Sequence, residues 1–187
     1  MTLYEIILAL PNGAALQPGK VHSLVYQEMG CGGERRRDFI FRAETHPRDH
    51  VTIRSASFPE RYRPHQRPVL TGEQGSEYNF YLKAAPLFSI GDGKRRAPRL
   101  VDFDGTPNPD LLRWLWSHAD NAGFEMVGHV EAIPTRRYIE EKAAGIVECA
   151  YVGRLKITNI ALFHNTLSKG LGRRRAYGYG LLSISEG

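Results

Sequence analysis

The chain has 187 residues, enough for one ordinary domain or two small ones that share an interface. Hydrophobic residues make up 42% and charged residues 24%, the balance of a globular protein, and no apolar run approaches the length needed to span a bilayer. The formal net charge of +5 favours a polyanionic partner if the positive side chains are clustered, and they are.

Met1 to Leu10 is a short apolar stretch that carries Glu5 and has no basic region before it. It reads as a first strand over Leu3 to Leu10, not as a signal peptide. A helix is predicted from Pro18 to Gly30, with Val21, Leu24, Val25 and Met29 on its buried face and His22 at the edge of that stripe. Asp38 to Glu44 and Val51 to Ser57 follow as strands, joined by a turn around Pro47. Phe58 to Ser76 is rich in proline and polar residues and reads as loop or sheet edge, so the first unit is abbreviated.

The alternation around Tyr78, Phe80 and Leu82 opens a second unit. Asn108 is placed to cap a helix whose first residue is Pro109 and whose inner stripe is Leu111, Leu112, Leu115 and Ala119. Phe124 to Ile133 and Ile146 to Ile157 are predicted strands. Asn159 caps a last helix that runs to Gly170 with Ile160, Phe163 and Leu167 inward, and Gly178 to Ile184 is the closing strand. The second half thus has the order β-α-β-β-α-β. The expected class is α+β, two tandem ferredoxin-like (RRM-like) units over residues 1–75 and 76–187, the first abbreviated.

The positive charge gathers in three places. Lys169 precedes Gly170-Leu171-Gly172-Arg173-Arg174-Arg175-Ala176-Tyr177-Gly178-Tyr179-Gly180. Glycines let a backbone approach a phosphate closely, and arginine forks match phosphate oxygens. Tyr177 and Tyr179 are placed to stack on bases. The plain alternative is a flexible helix-to-strand turn with a solvated surface. Lys94, Arg95, Arg96 and Arg99 form a second cluster, preceded by Gly91 and Gly93, in a connecting loop. Arg35-Arg36-Arg37 reads as an exposed strand entrance.

Cys31 and Cys149 are far apart and form no C-x-x-C pair, which argues against a disulfide scaffold or a zinc site and suits a reducing cytoplasm. His46 and His50 are four apart but separated by Pro47, and no H-E-x-x-H pattern occurs, so no metal and no cofactor are expected. His22 is the histidine singled out, a side chain held by a helix with one ring nitrogen free to reach a groove. A partly buried structural histidine is its plain alternative.

The ending Gly170-Leu171-Gly172, then Gly178-Tyr179-Gly180-Leu181-Leu182-Ser183-Ile184, resembles the glycine-rich signature of the CRISPR repeat-processing endoribonucleases of the RAMP superfamily. The nearest subtype is the CasE-type enzyme of Cascade complexes. His22 on the first helix, Arg37-Asp38-Phe39-Ile40-Phe41 on the next strand, and Tyr78 to Pro86 followed by Lys94 to Arg99 fit in the same order. The resemblance implies two ferredoxin-like units and metal-independent cleavage of precursor RNA at the 3′ base of a repeat hairpin. The ribose 2′-OH attacks the adjacent phosphate, leaving a 2′,3′-cyclic phosphate and a 5′-OH. It also implies a repeat RNA hairpin and other Cas subunits as partners, with no membrane. His22 then stands at the catalytic histidine and Arg175 at a basic position of the loop. One departure is Gly19, where the family often has a tyrosine; Tyr26, one turn after His22, is the candidate substitute. A non-catalytic RNA-hairpin-binding subunit is the alternative, and a ferredoxin-like metabolic enzyme ranks below both.

Overall fold

The structure, a computed structural model, describes residues 2–30, 37–89, 94–101, 106–139 and 144–187. Cys31, Arg35, Arg36, Gly91 and Gly93 lie outside the described residues. The first sheet is built from β1 (Tyr4–Ala9), β2 (Phe39–Glu44), β3 (His50–Ser55) and β4 (Arg67–Pro68) in the order β2-β3-β1-β4, all antiparallel. One helix, α1 (Pro18–Glu28), covers it. Pro18 starts the helix because its fixed φ suits the first turn and its missing N–H is not needed there. Val21, Val25 and Met29 repeat every four residues and bury against Ile6, Phe41 and Ile53. His22, one residue past Val21, is half-buried at the edge of that stripe, as its spacing predicts.

The abbreviation of this unit is now concrete. Where a second helix would stand, Pro59 and Pro64 flank and interrupt a 3₁₀ segment, Glu60–His65, and the closing strand is two residues long. The segment still serves α1: Arg61 Nη2 donates to Glu28 Oε2 at 2.8 Å, and the Tyr62 hydroxyl donates to the same carboxylate.

The second sheet contains β5 (Glu77–Ala84), β8 (Phe124–Ile139), β9 (Ala144–Ile157) and β10 (Leu182–Ser185), in the order β10-β5-β9-β8. A two-stranded hairpin, β6 (Phe88–Ser89) with β7 (Arg95–Arg96), is inserted after β5. Helices α2 (Asp110–Ala122) and α3 (Ile160–Lys169) pack on one face around Leu82, Leu111, Leu115, Phe163 and Leu167. In both sheets the unit's fourth strand lies beside its first and its third beside its second, so the ferredoxin-like order holds twice. Asn159 Oδ1 accepts from Leu162 N as an N-terminal cap does, whereas α2 begins at Asp110 with Pro109 at the cap position, and Asn108 Oδ1, one residue earlier, accepts from Asp110 N. Trp114, not Leu112, completes the inner stripe of α2, and Leu112 is half-buried. The β8–β9 pairing continues to Ile139↔Ala144, whereas β5 opposes β9 only as far as Cys149. The rest of that pair projects as a ribbon.

The two sheets are joined through polar side chains. Residues alternate between the faces of β1 and β3, so Glu5 and its register partner Arg54 lie opposite the α1 face. Arg54 is 2% exposed, and each of its three nitrogens donates. Nε and Nη2 donate to Glu5 Oε1 at 2.9 and 2.6 Å, and Nη1 donates to the carbonyls of Leu167 (3.0 Å) and Leu182 (2.7 Å). Burial pulls the guanidinium pKa below its ordinary value, while Glu5 opposes that shift. Arg42 Nη1 donates to Leu181 O and Ser183 Oγ, and Lys83 Nζ donates to Ala43 O and Glu44 Oε2.

Arg54→Met should lower stability by about 3 kcal/mol in chemical denaturation, because it leaves Glu5 and two buried carbonyls without their donor. Hydrogen bonds from Tyr62 and then Arg61 hold the Glu28 carboxyl below its ordinary range. A depressed folded pKa stabilises above the unfolded value and is lost as pH falls through the folded one. Glu28→Gln should therefore be less stable than wild type at pH 7, with the difference shrinking as pH falls and the wild-type Glu28 carboxyl becomes protonated in the folded state, as read by thermal melts across pH.

Candidate functional site

The imidazole of His22 sits where α1 meets the glycine-rich loop that follows α3. Its Nδ1 lies 2.7 Å from the carbonyl oxygen of Ala176. A carbonyl only accepts, so Nδ1 carries the proton and Nε2 of the neutral ring keeps its lone pair. The ring lies 4.1 Å from Tyr26 and 5.7 Å from Tyr177, centroid to centroid. Tyr26 in turn packs edge-on against Phe39 at 5.3 Å. The side chain singled out in sequence is thus fixed on three sides, with Tyr26, its candidate supporting residue, directly against it.

The loop is closed at its base by backbone bonds: Leu171 N donates to Gly180 O, and Gly180 N donates to Lys83 O, both at 2.8 Å. Between them Arg174 adopts the left-handed conformation (φ 59°), and Arg175–Tyr177 form one 3₁₀ turn. Two glycines show why the residue type is needed. A Cβ on Gly172 would lie 2.7 Å from Trp114 Cζ2, and one on Gly180 would collide with the Leu171 carbonyl. Both also have positive φ, 77° and 93°. The predicted close approach of backbone is real, but at these two positions it is to protein atoms. The closing strand consequently begins at Leu182, not at Gly178.

The arginines take the outer surface. Arg173 and Arg175 are exposed and Arg174 is half-buried. Arg175 Nη1 donates to the carbonyl of Lys169 at 2.7 Å, satisfying a last-turn group of α3. Lys169 itself is exposed. Lys169 and Arg175 line one cleft with Arg37, while Arg37 and Arg173 to Arg175 line the adjoining one with Gly172 and His118. In the sequence Arg37 reads as an exposed strand entrance within the stretch Arg37 to Phe41 that fits the resemblance. Its guanidinium lies 5.9 Å from the Tyr26 ring and 5.6 Å from that of Phe39, and its Nε donates to Phe39 O. His118 had no sequence signal; its Nδ1 donates to Trp114 O at 2.8 Å, which turns Nε2 away from that bond.

Other expectations separate from this site. Tyr179 is not available to stack on a base: it is 2% exposed, and its hydroxyl donates to Glu148 Oε2 at 3.1 Å. Tyr177 is half-buried against His22. Lys94 is exposed, Arg95 and Arg96 form β7, and Arg96 and Arg99 line a different cleft with Arg136 of the projecting ribbon. Among the described residues no three of His, Cys, Asp and Glu converge as metal ligands, and no helix is long and apolar enough to cross a membrane.

Residues 9–186 match the model of a family described as CRISPR associated protein. No curated protein matches the chain. Thermus thermophilus Cse3 bound to an RNA representing a pre-cleavage complex is 19% identical, with a TM-score of 0.80 over 99% of this chain and 100% of that one. A CRISPR endoribonuclease Cse3 bound to a 19-nucleotide RNA is 20% identical, with a TM-score of 0.80 over 98% of both chains. A chain of a CRISPR RNA-guided surveillance complex is 19% identical, with a TM-score of 0.65 and full coverage of both. At these identities the likeness establishes the fold.

Gly180→Ala should cost about 1–3 kcal/mol, because its neighbour at Cβ is a backbone carbonyl that cannot swing aside. Denaturation curves together with near-UV circular dichroism of the loop tyrosines would register it.

Proposed function

This chain belongs to the CRISPR-associated protein family, and on that premise we propose that it is a CasE-type endoribonuclease that matures CRISPR RNA. The observation that carries this reading is the 2.7 Å bond between His22 and Ala176, which sets an oriented imidazole beside three consecutive arginines. The substrate is the repeat hairpin of the precursor transcript, cut at the 3′ base of its stem. The 2′-OH of the nucleotide before the cut attacks the adjacent phosphorus, and the 5′ oxygen of the next nucleotide leaves. The products are a 2′,3′-cyclic phosphate and a 5′-OH. RNA supplies both nucleophile and leaving group, so the protein has to move protons and stabilise charge.

His22 is the proton-transfer group in this reading. The Nδ1–H bond to the Ala176 carbonyl leaves Nε2 to take the 2′-OH proton, and imidazole exchanges protons readily near neutrality. Tyr26 buttresses the ring, in place of the tyrosine that Gly19 does not supply. Arg173, Arg174 and Arg175, with Lys169 at the end of α3, meet the phosphates, and arginine donors aimed at developing negative charge are the electrostatic part of such catalysis. Gly172 shapes the loop that carries them. Of the basic segment that begins at Lys94, Arg96 and Arg99 grip RNA at a second cleft. The solved structures with this fold include two bound to RNA and one within a surveillance complex, which supports retention of the product as guide RNA among other Cas subunits.

Incubated with its own repeat RNA in EDTA, the protein should produce a cyclic-phosphate end, and a 2′-deoxy group at the scissile nucleotide should abolish the cut. His22→Ala should reduce single-turnover cleavage by roughly 10²–10⁴-fold with little change in hairpin affinity. Tight hairpin binding by the wild type without any cleavage would instead select a non-catalytic RNA-binding subunit.

A further inference from the structure

Glu148 is a carboxylate that the proposed chemistry leaves unused, yet it is only 7% exposed and has two partners of different kinds. Its Oε2 accepts the Tyr179 hydroxyl at 3.1 Å, and its Oε1 lies 3.4 Å from Nε of Arg137. Arg137 stands on β8 in the projecting ribbon, next to Arg136 in the second basic cleft. Tyr179 stands in the glycine-rich loop, three residues after Ala176, whose carbonyl orients His22. Ala85 and Ile146 pack around the Tyr179 ring, and burial together with Glu148 raises its hydroxyl pKa above the ordinary value, so it remains a donor.

The turn Arg175–Tyr177 is held by Arg175 on one side and enters Gly178 and Gly180 on the other, both with positive φ. Glycines supply no side chain to hold that second limb. Tyr179 lies between them, and its hydroxyl makes a side-chain bond to the β-sheet beneath. We propose that Glu148 and Tyr179 are positioning residues for His22: the bond between them seats the second limb of the loop, so that the Ala176 carbonyl meets Nδ1 and leaves Nε2 directed at the RNA. Arg137 extends this lock to the ribbon, so the strand pair that flanks the second basic cleft and the imidazole share one fixed frame. The proposal rests on His22-dependent RNA cleavage by this chain.

Tyr179→Phe removes the hydroxyl and keeps the ring, and Glu148→Gln keeps an acceptor for Tyr179 while removing the ion pair with Arg137. Three measurements apply to each full-length variant: single-turnover cleavage of the repeat hairpin, hairpin affinity, and long-range ¹H–¹⁵N spectra of the His22 imidazole without RNA. Tyr179→Phe should slow cleavage about 10-fold or more with affinity within about two-fold of wild type, since small misplacements of catalytic groups carry such penalties. Its imidazole spectrum should shift from the pure Nδ1–H tautomer toward a mixture. Glu148→Gln should fall between Tyr179→Phe and wild type, and Glu148→Leu, which removes the acceptor itself, carries the test if Tyr179→Phe does not fold. Wild-type rates with an unchanged tautomer overturn the proposal, as does a loss of rate that only tracks a loss of affinity. If the wild type binds the hairpin but does not cut it, the cleavage reading falls separately. The imidazole spectra then decide the lock, and an unchanged tautomer in Tyr179→Phe overturns it.

Discussion

The guanidinium of Arg54 is the interaction on which the rest of the arrangement depends. A buried charge is tolerated when it is paired and hydrogen-bonded, and Arg54 finds its acceptors in both units. Its acceptors in the second unit are informative. Leu167 is in the last turn of α3, where carbonyls lack helical partners and carry the negative end of the helix dipole. Leu182 begins β10. These two residues bracket the glycine-rich loop, so one side chain of the first sheet pins both ends of the segment that His22 must meet. Arg42 and Lys83 repeat the pattern along the same seam, each using backbone carbonyls of the opposite unit. A seam of fixed-length polar bonds specifies one relative placement, which a smooth apolar interface would leave freer.

The loop divides its labour by residue type. Gly172 and Gly180 pack inward, where a side chain would collide with Trp114 or the Leu171 carbonyl, and Tyr179 is buried as an anchor. Arg173 and Arg175 stay at the surface. Arg174 holds a left-handed backbone conformation that a non-glycine residue adopts only under constraint from its surroundings. Rigidity and positive charge are thus delivered by alternating parts of one short segment.

Long periodic elements were legible in the sequence because their burial pattern is local. Val21, Val25 and Met29 announced α1 and with it the edge position of His22. Asn159 announced α3, and the doubled β-α-β-β order followed. What escaped depends on distant partners. Gly178-Tyr179-Gly180 alternates like a strand, but two positive φ angles break it, and the partner of Tyr179 is thirty-one residues away. A tyrosine among arginines and glycines reads as a base-stacking residue until Glu148 is seen beneath it. Arg37 looked like a solvated edge because nothing in its own segment shows Lys169 and Arg175 across the cleft. The basic segment Lys94 to Arg99 is clustered charge in the sequence, but charge pattern carries no information on which cleft Arg96 and Arg99 line. Trp114 was overlooked for Leu112 because one step around a helix separates a buried stripe from its border.

The His22–Ala176 bond joins residues 154 positions apart. Non-local closures of that span form late, since the intervening chain must be ordered before the contact offsets the entropy of closing it. During synthesis α1 emerges well before the loop, so a growing chain on the ribosome carries His22 for some time without the carbonyl that orients it. The ordered imidazole is therefore a property that α1 acquires only after the loop has been made and folded onto it.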